Sequence, residues 1–233
     1  MMKGSKGTKM PRGDKGHIMD FIIPELPKSN QQKIAKVLSS LDAKFAINNK
    51  INAELEAIAK LIYDYWFVQF DFPDQNGNPY KSSGGKMVYN KELKRYIPEN
   101  WSNGTLFDLG GISGGSTPST SDLANFDKHG TPWITPKDLS NNTNCKYISK
   151  GEIGVTDLGL KSGSLQIYPK GTVLLSTRAP IGYMAIASNP LTTNQGFKSF
   201  VPDKGFSKHF VYYSIKNSMK SIIQYSSGST FKE

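Results

Sequence analysis

From Lys28 to Phe72 the chain contains neither glycine nor proline, and Pro27 and Pro73 bracket that run. Such a stretch can stay helical without interruption, because the two residues that most disrupt helices are missing. Ser29 followed three residues later by Gln32 predicts a capping box at its start, with Pro27 just outside. Alternating steps of four and three from Ile34 give Leu38, Leu41, Phe45, Asn48, Asn52, Leu55, Ala59, Ile62 and Trp66. This is a narrow seam of about five heptads rather than a broad globular face. Ile51 and Ile58 compete with Asn52 and Ala59, so the stripe shifts near its middle. A helix of about 40 residues would be about 60 Å long. That exceeds a compact domain, so the seam calls for a partner helix. Asn48 and Asn52 allow two readings: buried in the seam they would penalise misregistered partners, and at its edge they would stay hydrated.

The flanking zones have a different grammar. Residues 1–28 are rich in Gly, Lys and Pro, and "HIMDFIIPELP" reads as a brief strand entering a turn. Residues 73–96 read as a linker loop, and residues 97–233 as a mixed α/β domain of ordinary size. Within it "GTVLLS", "IGYMAIA" and "FKSFV" are expected strands. "SKHFVYYSIKNSMKSIIQYSSG" is an expected helix, with Val211, Ile215, Met219, Ile222 and Ile223 on one face and Gly228 as its stop. The expected fold class is therefore α+β, a long coiled-coil-type helix joined to a mixed α/β domain. The polar knot Thr192-Thr193-Asn194-Gln195-Gly196 suits either a turn between strands or the reading of an adenine edge.

Composition narrows the function. A net charge of +10 calls for a polyanionic partner, most simply nucleic acid. The single cysteine, Cys145, excludes an internal disulfide framework and suits a reducing compartment. His17, His129 and His209 lack metal-ligand spacing, so neither metal nor cofactor is expected. No apolar run approaches the roughly 18–20 residues needed to span a membrane, and the basic N-terminal stretch lacks a signal core. A cytoplasmic protein is expected.

Strings that imitate catalytic motifs fail on context. Asn78-Pro79-Tyr80 lacks a second proline and a strand to deliver it. Pro73-Asp74 with Glu92-Leu93-Lys94 would need adjacent strands around magnesium, and "NKELKRYIP" reads as a charged segment without a buried strand. "GGISGGSTPSTS" lacks the Gly-Lys-Ser/Thr ending of a phosphate loop. No catalytic residue is expected, and the chain reads as a binding module.

Residues 30–70 carry Gln31-Gln32-Lys33-Ile34-Ala35, Leu41-Asp42, Asn49-Lys50-Ile51-Asn52 and Trp66-Phe67. This order resembles the helical region of the specificity (S) subunits of type I restriction–modification systems. Downstream, "IPENW", "GGSTPS", "PWITPKDL", "STRAPIG", "TTNQGF" and "SGSTF" follow in the order of that family's target recognition domain. The resemblance covers about one repeat, one helical region plus one recognition domain, where the family has two of each. Gly7-Thr8-Lys9-Met10-Pro11 echoes Gly228-Ser229-Thr230-Phe231-Lys232, as if residues 1–28 were the tail of a preceding recognition domain. The chain could be an internal portion of a longer subunit or a permuted half-subunit.

The resemblance implies a non-catalytic DNA reader that positions methylation (M) and restriction (R) subunits. Its partners would be double-stranded DNA, those subunits, and a second helical repeat from another copy or a longer chain. Helix pairing is expected through Ile34, Leu38, Leu41, Phe45, Asn48, Leu55 and Ile62. Expected DNA contacts are Lys137, Arg178, Asn194 and Gln195 at or near bases, with Ser116 and Thr117 facing phosphate. Competing structural roles are Arg178 bracing the turn at Ala179-Pro180 and Lys137 pairing with Asp138. A family that reads different sequences with the same Thr-Thr-Asn-Gln-Gly knot would use it first as scaffold, which ranks Asn194 and Gln195 below Arg178 and Lys137 as readers. The other reading is a coiled-coil scaffold whose globular domain binds protein.

Overall fold

The computed structural model describes residues 5–6, 12–142, 145–178 and 180–226. Two compact units divide the chain, Met1–Ile51 and Asn52–Glu233. Gly228 and the paired pentapeptides at 7–11 and 228–232 lie outside the described residues.

In the first unit β1 (Ser5–Lys6) pairs antiparallel with β2 (Arg12–Gly13). The stretch expected as a strand instead opens with a short helix, α1 (Lys15–Met19). Asp14 decides this: its carboxylate accepts from the amides of Gly16 and His17 and so caps a helical turn. The long helix, α2 (Lys28–Tyr63), starts one residue before the expected position. The Pro27 carbonyl accepts from the amides of Asn30 and Gln31, which places Ser29 inside the first turn. Gln31 rather than Gln32 reaches back, donating from Nε2 to the Leu26 carbonyl at 2.6 Å. Ile34, Leu38, Leu41, Phe45 and Asn48 are all exposed on this helix.

The second unit opens with the rest of α2. One wide π turn, Asp64–Val68, ends the helical run before residue 72. Phe70, at φ 70°, then takes the left-handed conformation that stops helices, and the Asp71 amide donates to the Tyr65 carbonyl. In chain order there follow β3 (Met87–Asn90), β4 (Arg95–Pro98), β5 (Gly111–Gly114), β6 (Phe126–Asp127) and β7 (Thr131–Ile134). Next come α3 (Pro136–Asn141), β8 (Tyr147–Ile148), β9 (Gly154–Val155) and α4 (Asp157–Ser162). The last elements are β10 (Val173–Ser176), β11 (Met184–Ala187), β12 (Thr192–Thr193), β13 (Phe197–Val201) and α5 (Lys208–Gln224).

The span expected as a linker loop holds a hairpin, β3 against β4, with Tyr89 and Tyr96 paired across it. Its charges are real, but they sit at the turn, where Asn90 Oδ1 accepts from the Leu93 amide and Lys94 takes φ 51°. Ile97 and Pro98 of β4 are buried. Arg95 finishes α2: it donates to the Val68 carbonyl at 2.7 Å and stacks over Phe70. A cation there complements the negative end of the helix dipole.

A five-stranded sheet in the order β5-β13-β10-β11-β8 forms the centre, with only β8 parallel to its neighbour. Val173 and Leu175 of β10 face one way, with Ile186 and Phe200, against Val211, Tyr212, Tyr213 and Ile215 of α5. Leu174 faces the other way, with Ala185, Ala187 and Phe197, against Ile134, Leu139, Ile148 and Leu191. Burial on both faces explains why the expected strands read as continuous apolar runs rather than alternating ones. A second sheet, β12-β7-β9-β6, supplies Ile134 to the second core.

The face of α2 formed by Glu56, Ala59 and Tyr63 packs on α5. Ala59, expected in the pairing seam, packs instead against the cluster of Val211 and Ile215. Tyr63 lies 5.5 Å from the Tyr213 ring and donates to or accepts from Ser214 Oγ at 3.1 Å. Phe67 meets Phe210 at 4.9 Å and Trp101 at 5.9 Å, and Phe72 stacks between Trp101 and Tyr80. Leu55 and Ile62 of the expected seam are exposed.

Leu174 is fully buried at the middle of the central strand. Leu174→Ala is expected to lower unfolding free energy by about 2–5 kcal/mol in urea titrations, through lost transfer energy and the cavity left behind.

Candidate nucleic-acid interface

Short parallel pairing builds the site. Thr192 and Thr193 of β12 lie beside Trp133 and Ile134 of β7, and the Asn194 amide donates to the Ile134 carbonyl at 3.0 Å. Both threonines are buried, so the first half of the polar knot is a strand. Asn194 Oδ1 accepts from the Gly196 amide at 3.0 Å and closes an Asx turn. Gln195 is left exposed at its tip.

Three further loops converge on this turn. The Ser116 amide donates to the Thr193 carbonyl, and the Thr117 hydroxyl donates to Gln195 Oε1. The Thr177 amide donates to the Gly196 carbonyl at 2.8 Å, which brings the half-buried Arg178 alongside. A Cβ on Gly196 would stand 3.2 Å from Pro136 Cγ and 3.4 Å from Arg178 Cγ. A Cβ on Gly115 would stand 2.0 Å from the Asn194 carbonyl oxygen, so only glycine permits that approach.

Five of the six expected contact residues, Ser116, Thr117, Arg178, Asn194 and Gln195, are therefore brought together. They are not equivalent. Ser116 donates its hydroxyl to the Gly163 carbonyl and accepts at its carbonyl from Trp133 Nε1, which makes it a structural staple. Asn194 spends its side-chain oxygen on the turn. Gln195, by contrast, is exposed, accepts from Thr117 at its side-chain oxygen, and carries two amide donors as well.

Lys137 lies apart, in the first turn of α3 behind the Thr135–Asp138 capping box. It pairs with Glu152 at 2.7 Å, with both groups exposed, and not with Asp138. Asp138 is committed to Thr135 and to the Glu152 amide. Hydrogen bonding from Glu152 raises the Lys137 pKa, which keeps the cation charged at neutral pH. Lys198 was not among the expected contacts. It is exposed on β13 opposite Gly114, two residues from Ser116, and is the exposed position in "FKSFV" whose neighbours are buried. The cue was a lone charged residue within an otherwise uncharged strand.

Among the described residues no group of three or more His, Cys, Asp or Glu could hold a metal ion, and no helix is long and apolar enough to cross a membrane. His209 stands at 3.4 Å from the Tyr147 hydroxyl. Burial and the nearby Lys146 and Lys208 lower its pKa, so it is a neutral ring at pH 7.

The model of the type I restriction modification DNA specificity domain matches residues 1–57 and 98–233. The specificity subunit of the type I restriction enzyme MjaIX of Methanocaldococcus jannaschii is 48% identical over 141 residues, 59% of this chain and 32% of that protein. The HindI specificity subunit of Haemophilus influenzae is 27% identical over 242 residues, 83% of this chain and 51% of that protein. An HsdS subunit from Thermoanaerobacter tengcongensis, of known crystal structure, shares 17% identity at a TM-score of 0.48, over 97% of this chain and 52% of that one. The chain thus spans from about a third to about half of the length of these relatives. With the match covering most of the long helix and the region from residue 98 that holds the two larger sheets, the chain belongs to the family of the type I restriction modification DNA specificity domain.

Proposed function

We propose that this chain is the DNA-reading part of a type I restriction–modification complex, recognising one half of a bipartite target. Support comes above all from the convergence of four loops at Gly115–Thr117, Pro136, Arg178 and Asn194–Gly196. They form a firm platform that presents Gln195, with Arg178 alongside, Lys198 on β13 opposite Gly114, and Lys137 set apart on α3. Phosphate contacts by these lysines would set affinity, and amide or guanidinium contacts at base edges would set sequence preference. The Thr-Thr-Asn-Gly frame serves as scaffold, and Gln195 is the reader it carries.

The exposed stripe Ile34, Leu38, Leu41, Phe45, Leu55 and Ile62, with Asn48 among them, pairs with a second helical repeat. Another copy or a longer chain could supply it. Paired helices would fix the gap between half-sites and offer docking surface for methylation and restriction subunits, which carry the chemistry. The chain itself is non-catalytic and acts in the cytoplasm.

Binding to target DNA is expected to fall linearly on a log–log salt plot, with a slope of about −0.9 per phosphate contacted. Gln195→Ala and Arg178→Ala should each remove about 1–3 kcal/mol of discrimination between matched and altered half-sites. Lys137→Ala should instead weaken all sequences equally and flatten the salt slope; fluorescence anisotropy at two salt concentrations separates these outcomes. At concentrations where the chain is monomeric, Phe45→Ala with Leu38→Ala should change unfolding free energy by no more than about 0.5 kcal/mol, as exposed positions do. The same pair should abolish self-association in sedimentation velocity runs.

A further inference from the structure

We propose that Glu56, Lys146 and Tyr213 form a clasp that aims the recognition domain along the spacer helix, making Glu56 and Lys146 positioning residues for half-site spacing. The inference rests on the DNA-reading function proposed above and adds to it the residues that set its geometry.

The clasp is a closed triangle. Lys146 Nζ lies 2.6 Å from Glu56 Oε2 and donates to the Tyr213 hydroxyl at 2.9 Å. Tyr213 in turn donates to Glu56 Oε2 at 3.1 Å. The Lys146 side chain is only 7% exposed, and its ammonium sits over the rings of Tyr213 and Tyr212, at 4.7 and 5.4 Å. It is therefore a fixed anchor rather than a mobile surface lysine. Burial opposes its charge, but Glu56 and Tyr213 outweigh burial and raise its pKa.

Position on the helix gives the clasp its leverage. Glu56 precedes Tyr63 by seven residues, two turns on the same face. The rings of Tyr63, Phe67, Phe210 and Trp101 hold the lower point, but apolar contact is non-directional and lets a helix swivel. A hydrogen-bonded triangle two turns away is directional. Two fastenings define an axis where one does not. The anchor is also wired to the reading head: the Lys146 carbonyl accepts from the Ile186 amide of β11, and the β10–β11 loop carries Arg178.

The test is a spin-label distance measurement on the full chain, in a Cys145→Ser background with labels at Asn52→Cys and Lys128→Cys, both exposed positions. The clasp is removed in two ways: Glu56→Gln, and the double replacement Glu56→Leu with Lys146→Met, which leaves no buried charge unpaired. Both variants should melt cooperatively, while the distance distribution widens about twofold as a second orientation becomes populated. An unchanged mean and width would overturn the proposal. Loss of cooperative melting in Glu56→Gln would overturn it too, since the pair would then hold the fold together rather than aim it. A second arm uses the self-paired chain, which presents two recognition domains, and DNA whose half-sites are separated by one base pair more or less than the preferred gap. The parent chain should reject both and the variants should accept them. If the parent shows no sequence preference at all, the DNA-reading function fails, while the distance measurement still decides the clasp.

Discussion

The burial of one helix face against α5 organises the second unit. Ala59, Tyr63 and Phe67 lie on that face, and the rings of Phe210, Tyr213 and Trp101 receive them. Everything downstream is placed by this contact. The π turn at Asp64–Val68 widens the helix where the aromatic side chains need room, and the left-handed Phe70 turns the chain away. Arg95, delivered by the hairpin, then closes the open carbonyl end. The same contact leaves Leu55 and Ile62 uncovered, so the face that packs on α5 is not the face that carries the exposed apolar stripe.

That division explains how much of the fold was legible in the sequence. The long helix was visible because nothing between Pro27 and Pro73 could interrupt it. The strands β10, β11 and β13 were visible because both faces of their sheet are buried. The hairpin was not, since its turn gathers Lys91, Glu92 and Lys94 and masks the apolar residues of β4. α1 was missed because one carboxylate, Asp14, outweighed the β-branched residues after it. Ala59 falls on the drawn seam but packs against the α5 cluster, because steps of three and four cannot distinguish a partner helix from the chain's own domain.

The site was legible in part, and for a related reason. Thr192 to Gly196 announced a polar turn, and the resemblance gave its neighbours, but the sequence placed Asn194 and Gln195 together below Arg178 and Lys137 and did not separate the two. Hydrogen-bond accounting does: Ser116 and Asn194 are consumed by the scaffold, whereas Gln195 retains its amide donors. Lys137 was a reasonable choice from charge, and Glu152 tempers it. The clasp had no sequence signature, because Glu56 and Lys146 are ordinary charged residues far apart in the chain and only the fold brings them together.

Sequence preference carried in a platform of converging loops is a property that bound DNA itself can report. Selection of bound molecules from a fully randomised DNA pool tests it most directly, with the full chain alone and with a methylation subunit added. The account predicts enrichment of one short half-site motif, sharpened at particular positions that blur in the Gln195→Ala variant. Retention of DNA without enrichment of any motif, or no retention at low salt, would contradict it.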